Sequence, residues 1–106
     1  MVSFDDFKKI ELRVATIKEV KDHPDADKLY VLIIEVGGFT KQLVAGIKSQ
    51  YKKEELINRQ IVIVDNLAPA VIRGIESQGM LLAASDKDKI AVLIPDKPLP
   101  SGSIIK

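Results

Sequence analysis

The sequence predicts a single all-β domain, built as a small five-stranded barrel with one short helix. Short stretches rich in valine, isoleucine and leucine are separated by glycine or proline, and only one segment has a helix-forming composition. With 106 residues, of which 46% are hydrophobic and 29% charged, the chain can bury a core of its own. We therefore expect residues 1–106 to form one domain.

The N-terminal segment predicts a helical turn followed by a bent strand. Ser3 can cap the turn, and Asp5 and Asp6 suit its positive end. Residues 10–14 alternate between apolar and charged side chains, which is typical of a strand with one buried face. The alternation slips near Thr16, so the strand either ends there or contains a bulge that bends it around a barrel.

The next part of the chain predicts a hairpin. An acidic, proline-containing loop at 21–27 precedes a strongly apolar strand at 28–36, and Gly37-Gly38 connects that strand to another at 40–47. The first of these strands is apolar on both faces. We expect either a partner subunit or other segments of the same chain to cover its second face.

The second half of the chain predicts the helix and the remaining strands. Ser49 is placed to cap a short helix that ends near residue 57, and strands are expected at 60–66, 79–84 and 89–94. A proline-rich exit and a short terminal segment follow. The count is thus five or six strands, with a helix between the third and fourth. Five strands with a helix at that place suit the OB-fold, a Greek-key barrel that binds oligonucleotides through one face and its loops.

Several kinds of chemistry are not predicted. The chain has no cysteine and a single histidine, His23, which argues against disulfides, zinc sites and histidine-activated nucleophiles. The acidic residues at 22–27 lack the spacing of a calcium loop. Gly74 and Gly79 have the outer spacing of a phosphate-binding loop, but the lysine and hydroxyl residue that must follow are absent. We expect no enzyme activity, no cofactor and no metal.

The basic residues are unevenly placed although the net charge is only +1. No acidic residue occurs between Val36 and Lys53, while the stretch contains four lysines: Lys41, Lys48, Lys52 and Lys53. These lysines either share a surface patch that phosphates can contact or are scattered and solvated. The small net charge predicts modest affinity for nucleic acid.

The N-terminus lacks the pattern of a signal peptide, and no apolar run approaches the ~20 residues needed to cross a bilayer. We expect a soluble, cytoplasmic protein without a membrane partner.

Four segments closely resemble the tRNA-binding domain family: FKKIELRV (7–14), HPDADKLY (23–30), AGIKSQY (45–51) and NLAPAVIRGIESQGM (66–80). Its members include free-standing structure-specific tRNA-binding proteins and the C-terminal domain of methionyl-tRNA synthetase. The resemblance implies an OB-fold barrel, a homodimer built through extra terminal segments, and recognition of folded tRNA. Because the chain begins at Met1, it looks like the detached version, either a β-subunit-like accessory of methionyl-tRNA synthetase or a free tRNA-binding protein.

The resemblance also implies a binding surface around ESQGM (76–80). The predicted RNA contacts are Lys28, Lys48, Asn66, Arg73, Ser77, Gln78 and Met80. The basic residues would contact phosphates, Ser77 and Gln78 would form hydrogen bonds, and Met80 would contact sugar or base. For Asn66 and Ser77 the alternative is a structural role as turn caps. Gly79 is expected to permit a backbone turn.

Two departures favour an auxiliary role beside another RNA-binding surface, since Ala68 and Val71 stand where relatives often carry basic residues. One alternative function is a dimeric, export-related chaperone of the same fold that binds peptides. Such proteins resemble the start and end of this chain but generally lack HPDADKLY and ESQGM. Another alternative is a scaffold that docks onto a synthetase and contributes little RNA contact.

Overall fold

The computed structural model describes residues 1–106, and strands dominate it. The elements in chain order are α1 (Phe4–Phe7), β1 (Leu12–Asp22), β2 (Tyr30–Val36), β3 (Phe39–Ala45), α2 (Lys53–Leu56), β4 (Gln60–Val64), β5 (Ala70–Ile72), β6 (Ile75–Ser77), β7 (Met80–Leu81), β8 (Ala83–Asp86), β9 (Lys89–Val92) and β10 (Ile104–Ile105). The predicted all-β class, with a short helix between the third and fourth strands, is confirmed. Neither helix is long and apolar enough to cross a bilayer.

A curled sheet with the strand order β3-β2-β1-β4-β7 forms the body of the protein, and β10 adds to β1. The long strand β1 makes the curl possible. Its first half pairs with β4 and its second half pairs with β2, and the register shifts between Ile17 and Glu19. The bulge is therefore confirmed: it bends β1 so that one strand serves both sides of the curled sheet.

The curl brings β3 beside the segment that joins β6 to β7, and hydrogen bonds between Gln42 and Gln78 help to hold this seam. The backbone N–H of Gln78 donates to the carbonyl oxygen of Gln42 at 2.8 Å, and the Gln78 side-chain oxygen accepts from the Gln42 N–H at 2.8 Å. Together with β7, which pairs with β4, this seam gives the sheet the OB-like, barrel-shaped arrangement that the sequence predicted.

Gly79 lies in the seam, but its role differs from the expected one. Its φ is not positive, so no turn requires a glycine there. A Cβ at this position would be 2.9 Å from the Val64 carbonyl oxygen and 3.2 Å from Leu43 Cδ2. Glycine is needed because two backbones approach closely at this point.

The core is aliphatic, and the inner face of β2 contributes Leu32 and Ile34, both fully buried. Each such side chain stabilises the fold by roughly 1.5–3 kcal/mol. On the opposite face of β2, Val31 is only 5% exposed and Ile33 is half-buried. Segments of the same chain therefore cover most of this second face, which favours that alternative over a partner subunit at this strand.

Two predicted elements differ from the structure. Ser49 does not cap α2; the N-cap is Lys52, whose backbone N–H donates to the Glu55 carboxylate at 2.7 Å. Glu55 therefore satisfies the backbone N–H of the N-cap residue, whereas the expected serine cap would have accepted from an N–H inside the first turn. The strand predicted at 79–84 is divided at Leu82, where the backbone leaves β7 and the β8–β9 hairpin begins.

Residues 70–77, for which no element was predicted, form the β5–β6 hairpin. Its two turn residues, Arg73 and Gly74, have φ values of 52° and 89°. Positive φ at both positions is what a type I′ turn requires, and this turn matches the twist of the two strands that it joins.

The chain forms an extra segment at each end, α1 and β10, as the sequence predicted. Ser3 caps α1 by accepting from the Asp6 N–H at 3.1 Å. At the other end of the chain, the Gly102 N–H donates to the Val14 carbonyl at 2.7 Å, and the Arg13 guanidinium donates to the Gly102 carbonyl at 3.0 Å. The C-terminal segment is thereby fixed to the central strand.

Candidate nucleic-acid interface

The three predicted phosphate ligands, Lys28, Lys48 and Arg73, lie on neighbouring segments of the surface. Lys28 and Arg73 line the same cavity, and the backbone N–H of Lys48 donates to the Lys28 carbonyl at 3.3 Å. Lys28 and Arg73 are exposed, and Lys48 is half-buried. We call these residues, together with Lys53, the cationic rim; Lys53 belongs to it because it shares an ion-pair partner with Lys48.

A buried histidine joins the two loops that carry Lys28 and Arg73. His23 is 4% exposed, its Nδ1 accepts from the Asp25 N–H at 3.0 Å, and its Nε2 lies 3.1 Å from the Ile72 carbonyl oxygen. Because Nδ1 accepts, Nε2 carries the proton and donates to Ile72. Arg73 strengthens the same connection, since its guanidinium donates to the Asp25 carbonyl at 2.9 Å. The hairpin turn is thus held beside Lys28.

Ser77 and Gln78 are hydrogen-bonded within the barrel seam. Ser77 is 3% exposed, and its hydroxyl accepts from the Val44 N–H at 3.0 Å and donates to the Gly79 carbonyl at 2.9 Å. This is the structural alternative considered for Ser77, and a direct RNA contact does not fit its burial. Gln78 is half-buried and uses its side-chain oxygen on Gln42.

Ser77→Ala is expected to lower the free energy of unfolding by about 1–3 kcal/mol. The loss arises because the buried Val44 N–H would have no acceptor, and an unsatisfied buried donor costs about that much. Urea unfolding measures the change. Ser49→Ala, at an exposed serine, is the matched control, and equal stability of the two variants would contradict the assigned role of the Ser77 hydroxyl.

Asn66 and Met80 lie outside the cationic rim. The Asn66 amide accepts from the Glu11 N–H at 2.9 Å and donates to the Lys9 carbonyl at 2.7 Å, so it holds the N-terminal segment against the end of β4. Met80 is 45% exposed and lines an apolar groove with residues 44–47 and 81–83. Ile47 lines this groove, and the next residue, Lys48, belongs to the cationic rim, so the groove and the rim adjoin each other.

The four lysines of the acid-free stretch do not form one patch. Lys41 is paired with Asp65 at 2.7 Å, whereas Lys48 and Lys53 both contact Asp22, at 3.1 and 3.2 Å. The hydrogen bonds from Lys48 and then Lys53 lower the pKa of the Asp22 carboxyl below its ordinary value. Asp65 and Asp22, which lie outside this stretch in the sequence, therefore neutralise part of its positive charge.

Comparison with known proteins bears on what this surface binds. Residues 12–104 match the family model described as "Putative tRNA binding domain". The chain belongs to this tRNA-binding domain family. The resemblance expected from the four sequence segments is thereby confirmed.

The tRNA-binding domain is similar to several methionine–tRNA ligases. It is 56% identical over 105 residues to the ligase of Pyrococcus furiosus, covering 99% of this chain and 14% of the ligase. It is 50% identical over 106 residues to the ligase of Nanoarchaeum equitans, again covering 14% of that protein. The chain thus spans about 14% of the length of the curated relatives it matches.

Solved structures with the same fold include proteins of two kinds. A MetRS-related protein from Pyrococcus horikoshii superposes with a TM-score of 0.93 at 31% identity, covering 100% of this chain and 98% of that chain. A CsaA chaperone protein from Picrophilus torridus superposes with a TM-score of 0.91 at 38% identity, covering 100% of both chains.

Sequence reasoning missed one residue of the tRNA-binding domain's cationic rim and one neighbour. Lys53 was part of the lysine-rich stretch but was not among the predicted RNA contacts, and Asp22 was assigned only to a loop. Asp22 ends β1, whereas Lys48 follows β3 and Lys53 begins α2. No local pattern in the sequence indicates that these three segments meet.

Proposed function

We propose that this tRNA-binding domain is a non-catalytic, structure-specific tRNA-binding module that assists methionyl-tRNA synthetase. The observation that carries the proposal is the 50–56% identity to methionine–tRNA ligases over essentially the whole chain. The cationic rim supports it, because Lys28 and Arg73 are exposed beside each other on loops that His23 holds together.

The rim suits recognition of a folded backbone. Lysine and arginine contacts to phosphates position an RNA without specifying its bases, and folded RNA is recognised largely through its shape and backbone. The half-exposed Met80 and its apolar groove would accept a sugar or an unstacked base. With a net charge of +1, affinity depends on the local placement of these few cations, and we expect it to be modest.

A gel-shift titration with bulk tRNA tests the proposal. An unstructured RNA of equal length is the control. We expect saturable, salt-sensitive binding that prefers folded tRNA and tolerates a change of tRNA species. Equal binding to the unstructured RNA would contradict structure-specific recognition. The Michaelis constant of the synthetase for tRNA, measured with and without the domain, tests the auxiliary role; an unchanged constant would favour a scaffold instead.

A second candidate function is a peptide-binding chaperone. The similarity to CsaA chaperone proteins, at 31–38% identity over the whole length of both chains, favours it. The two functions are separated by titrating the domain with unfolded polypeptide and with tRNA in parallel. Binding of polypeptide without any tRNA shift would replace the first proposal by the second.

The domain also offers a surface for a second copy of itself. Phe4, Phe7, Ile10 and the terminal strand β10 line an apolar groove, and Phe4 and Ile104 are 71% and 67% exposed. Apolar exposure beside the free edge of a short strand is typical of an interface. We therefore propose a homodimer in which the two grooves face each other around a two-fold axis.

Phe4→Asp is expected to convert this dimer into a monomer, because it places a charge at the centre of the apolar contact. Light scattering measures the mass in solution. Phe39→Asp is the control, since Phe39 is similarly exposed, at 74%, but lies outside the groove. A monomeric wild-type protein, or a Phe4→Asp variant that stays dimeric, would contradict the proposed interface.

A further inference from the structure

Asp22 bridges two lysines of the cationic rim. One carboxylate oxygen is 3.1 Å from Lys48 Nζ, and the other is 3.2 Å from Lys53 Nζ. The three side chains are between 32% and 52% exposed, so a ligand in solution can reach them. The two ammonium groups thus already hold a pair of anionic oxygens between them.

The lysines come from segments whose positions do not depend on this ion pair. Lys48 lies 6.0 Å from the centre of the Tyr30 ring, and that ring is fixed because its hydroxyl donates to the Tyr51 carbonyl at 2.8 Å. Lys53 begins α2, which the buried Leu56 anchors in the core. Removing the carboxylate would leave the two ammonium groups on this framework.

A phosphodiester resembles the carboxylate in the property that matters here. Each presents two adjacent anionic oxygens that accept charge-assisted hydrogen bonds from lysine. An exposed ion pair contributes little net stability, because solvent screens it, so a phosphate can displace Asp22 from the lysines. The displaced carboxylate stays nearby at the end of β1 and repels the phosphate.

We propose that Lys48 and Lys53 form an anion site that takes one RNA phosphate, and that Asp22 occupies this site as an internal competitor. The RNA ligand rests on the proposed function, whereas the site itself concerns phosphate in general. Asp22 then weakens binding by the domain and lowers its salt dependence, because a lysine that stays paired with Asp22 neutralises no phosphate and releases no counterion from the RNA.

Asp22→Asn in the 106-residue chain tests the proposal. We expect it to tighten binding of bulk tRNA about fivefold, the effect of removing one unit charge about 4 Å from a phosphate in water. The slope of log affinity against log salt should steepen by roughly 0.7–0.9, the contribution of one additional phosphate contact. The melting temperature reports whether the fold is intact.

Glu19→Gln is the matched control. Glu19 lies on the same strand, is similarly exposed and pairs with Lys21 at 3.9 Å, so the variant also removes one negative charge and releases one lysine. A gain as large as that of Asp22→Asn would show that only the overall charge matters and would overturn the proposal. The gain of Asp22→Asn should also be smaller in a Lys53→Gln background, where only Lys48 is left to be released. An undiminished gain there would overturn the assignment of Lys53.

Titration with inorganic phosphate separates this inference from the proposed function. We expect the side-chain NMR signals of Lys48 and Lys53 to shift at lower phosphate concentration in Asp22→Asn than in Glu19→Gln. If the domain does not bind tRNA but this shift is seen, the proposed function fails and the anion site stands with another phosphate ligand. If the two variants respond equally to phosphate, the anion site is overturned whether or not tRNA binds.

Discussion

Replacing Gly102 with alanine is expected to lower the free energy of unfolding by about 2–5 kcal/mol. Gly102 has φ +95°, a region that costs an L-residue about 1–2 kcal/mol. A Cβ there would also lie 2.7 Å from Gly37 Cα and 2.8 Å from Gly37 N. Both neighbours are backbone atoms, so the added methyl group forces the two backbone segments apart. This overpacking costs about 1–3 kcal/mol.

The contact matters because it fixes the C-terminal segment against the central strand. Gly102 hydrogen-bonds to Val14 and Arg13, so the shift would loosen β10 together with the tight turn at Gly37. Urea unfolding measures the loss. Gly38→Ala is the control, since Gly38 has φ +85° but nothing within 4 Å of the added Cβ. Equal losses in the two variants would show that only the backbone conformation matters.

Arg73→Asn is expected to weaken tRNA binding about tenfold, the effect of losing one charge-assisted hydrogen bond to phosphate. Stability should change little, because the turn gains a preferred residue but loses the hydrogen bond from Arg73 to the Asp25 carbonyl. Arg73 is the first of the two central residues of a type I′ turn and has φ 52°. Asparagine is preferred at this position, and a longer side chain is strained there. A strained residue at an exposed, cation-lined turn is the kind of outlier that function retains.

Filter binding and thermal melting of the same preparations test this prediction. Arg59→Asn removes an equal charge from a half-buried arginine whose guanidinium lies 5.8 Å from the centre of the Tyr51 ring, outside the rim. We expect that control to retain tRNA affinity. If Arg73→Asn binds tRNA as the wild type does, the rim is not the binding surface; if it melts well below the wild type, the turn depends on Arg73 and its hydrogen bond to Asp25.

Most of the strands could be predicted because their signals are local. Residues 28–36 and 60–66 are rich in branched apolar residues, and a pleated, half-buried strand favours such residues wherever it lies. The β5–β6 hairpin was missed because its signal is weak: three residues per strand and an arginine in the turn. Of the two alternatives for β1, an end near Thr16 is wrong: the strand continues to Asp22 because β2 pairs with its second half.

The structure brings some of the predicted site residues together and leaves others apart, and the difference has one physical cause. Lys28, Lys48 and Arg73 were chosen for their charge and their place in family-like segments, and the fold brings these three together. Ser77 was expected to face RNA, but the curl of the sheet places its hydroxyl against Val44. Whether a polar group faces solvent or a neighbouring backbone depends on which strand lies beside it, and a one-dimensional pattern does not contain that information.

The sequence by itself determined the all-β class, the place of the helix, the family and the absence of cysteine chemistry. These follow from residue types and from spacings of a few residues, where local conformational preferences decide. Only the tertiary structure decided that Asp22 meets Lys48 and Lys53, and that Gly102 meets Gly37. Those contacts join segments that are distant in sequence, and their geometry is set by the bulge and curl of the sheet rather than by any local preference.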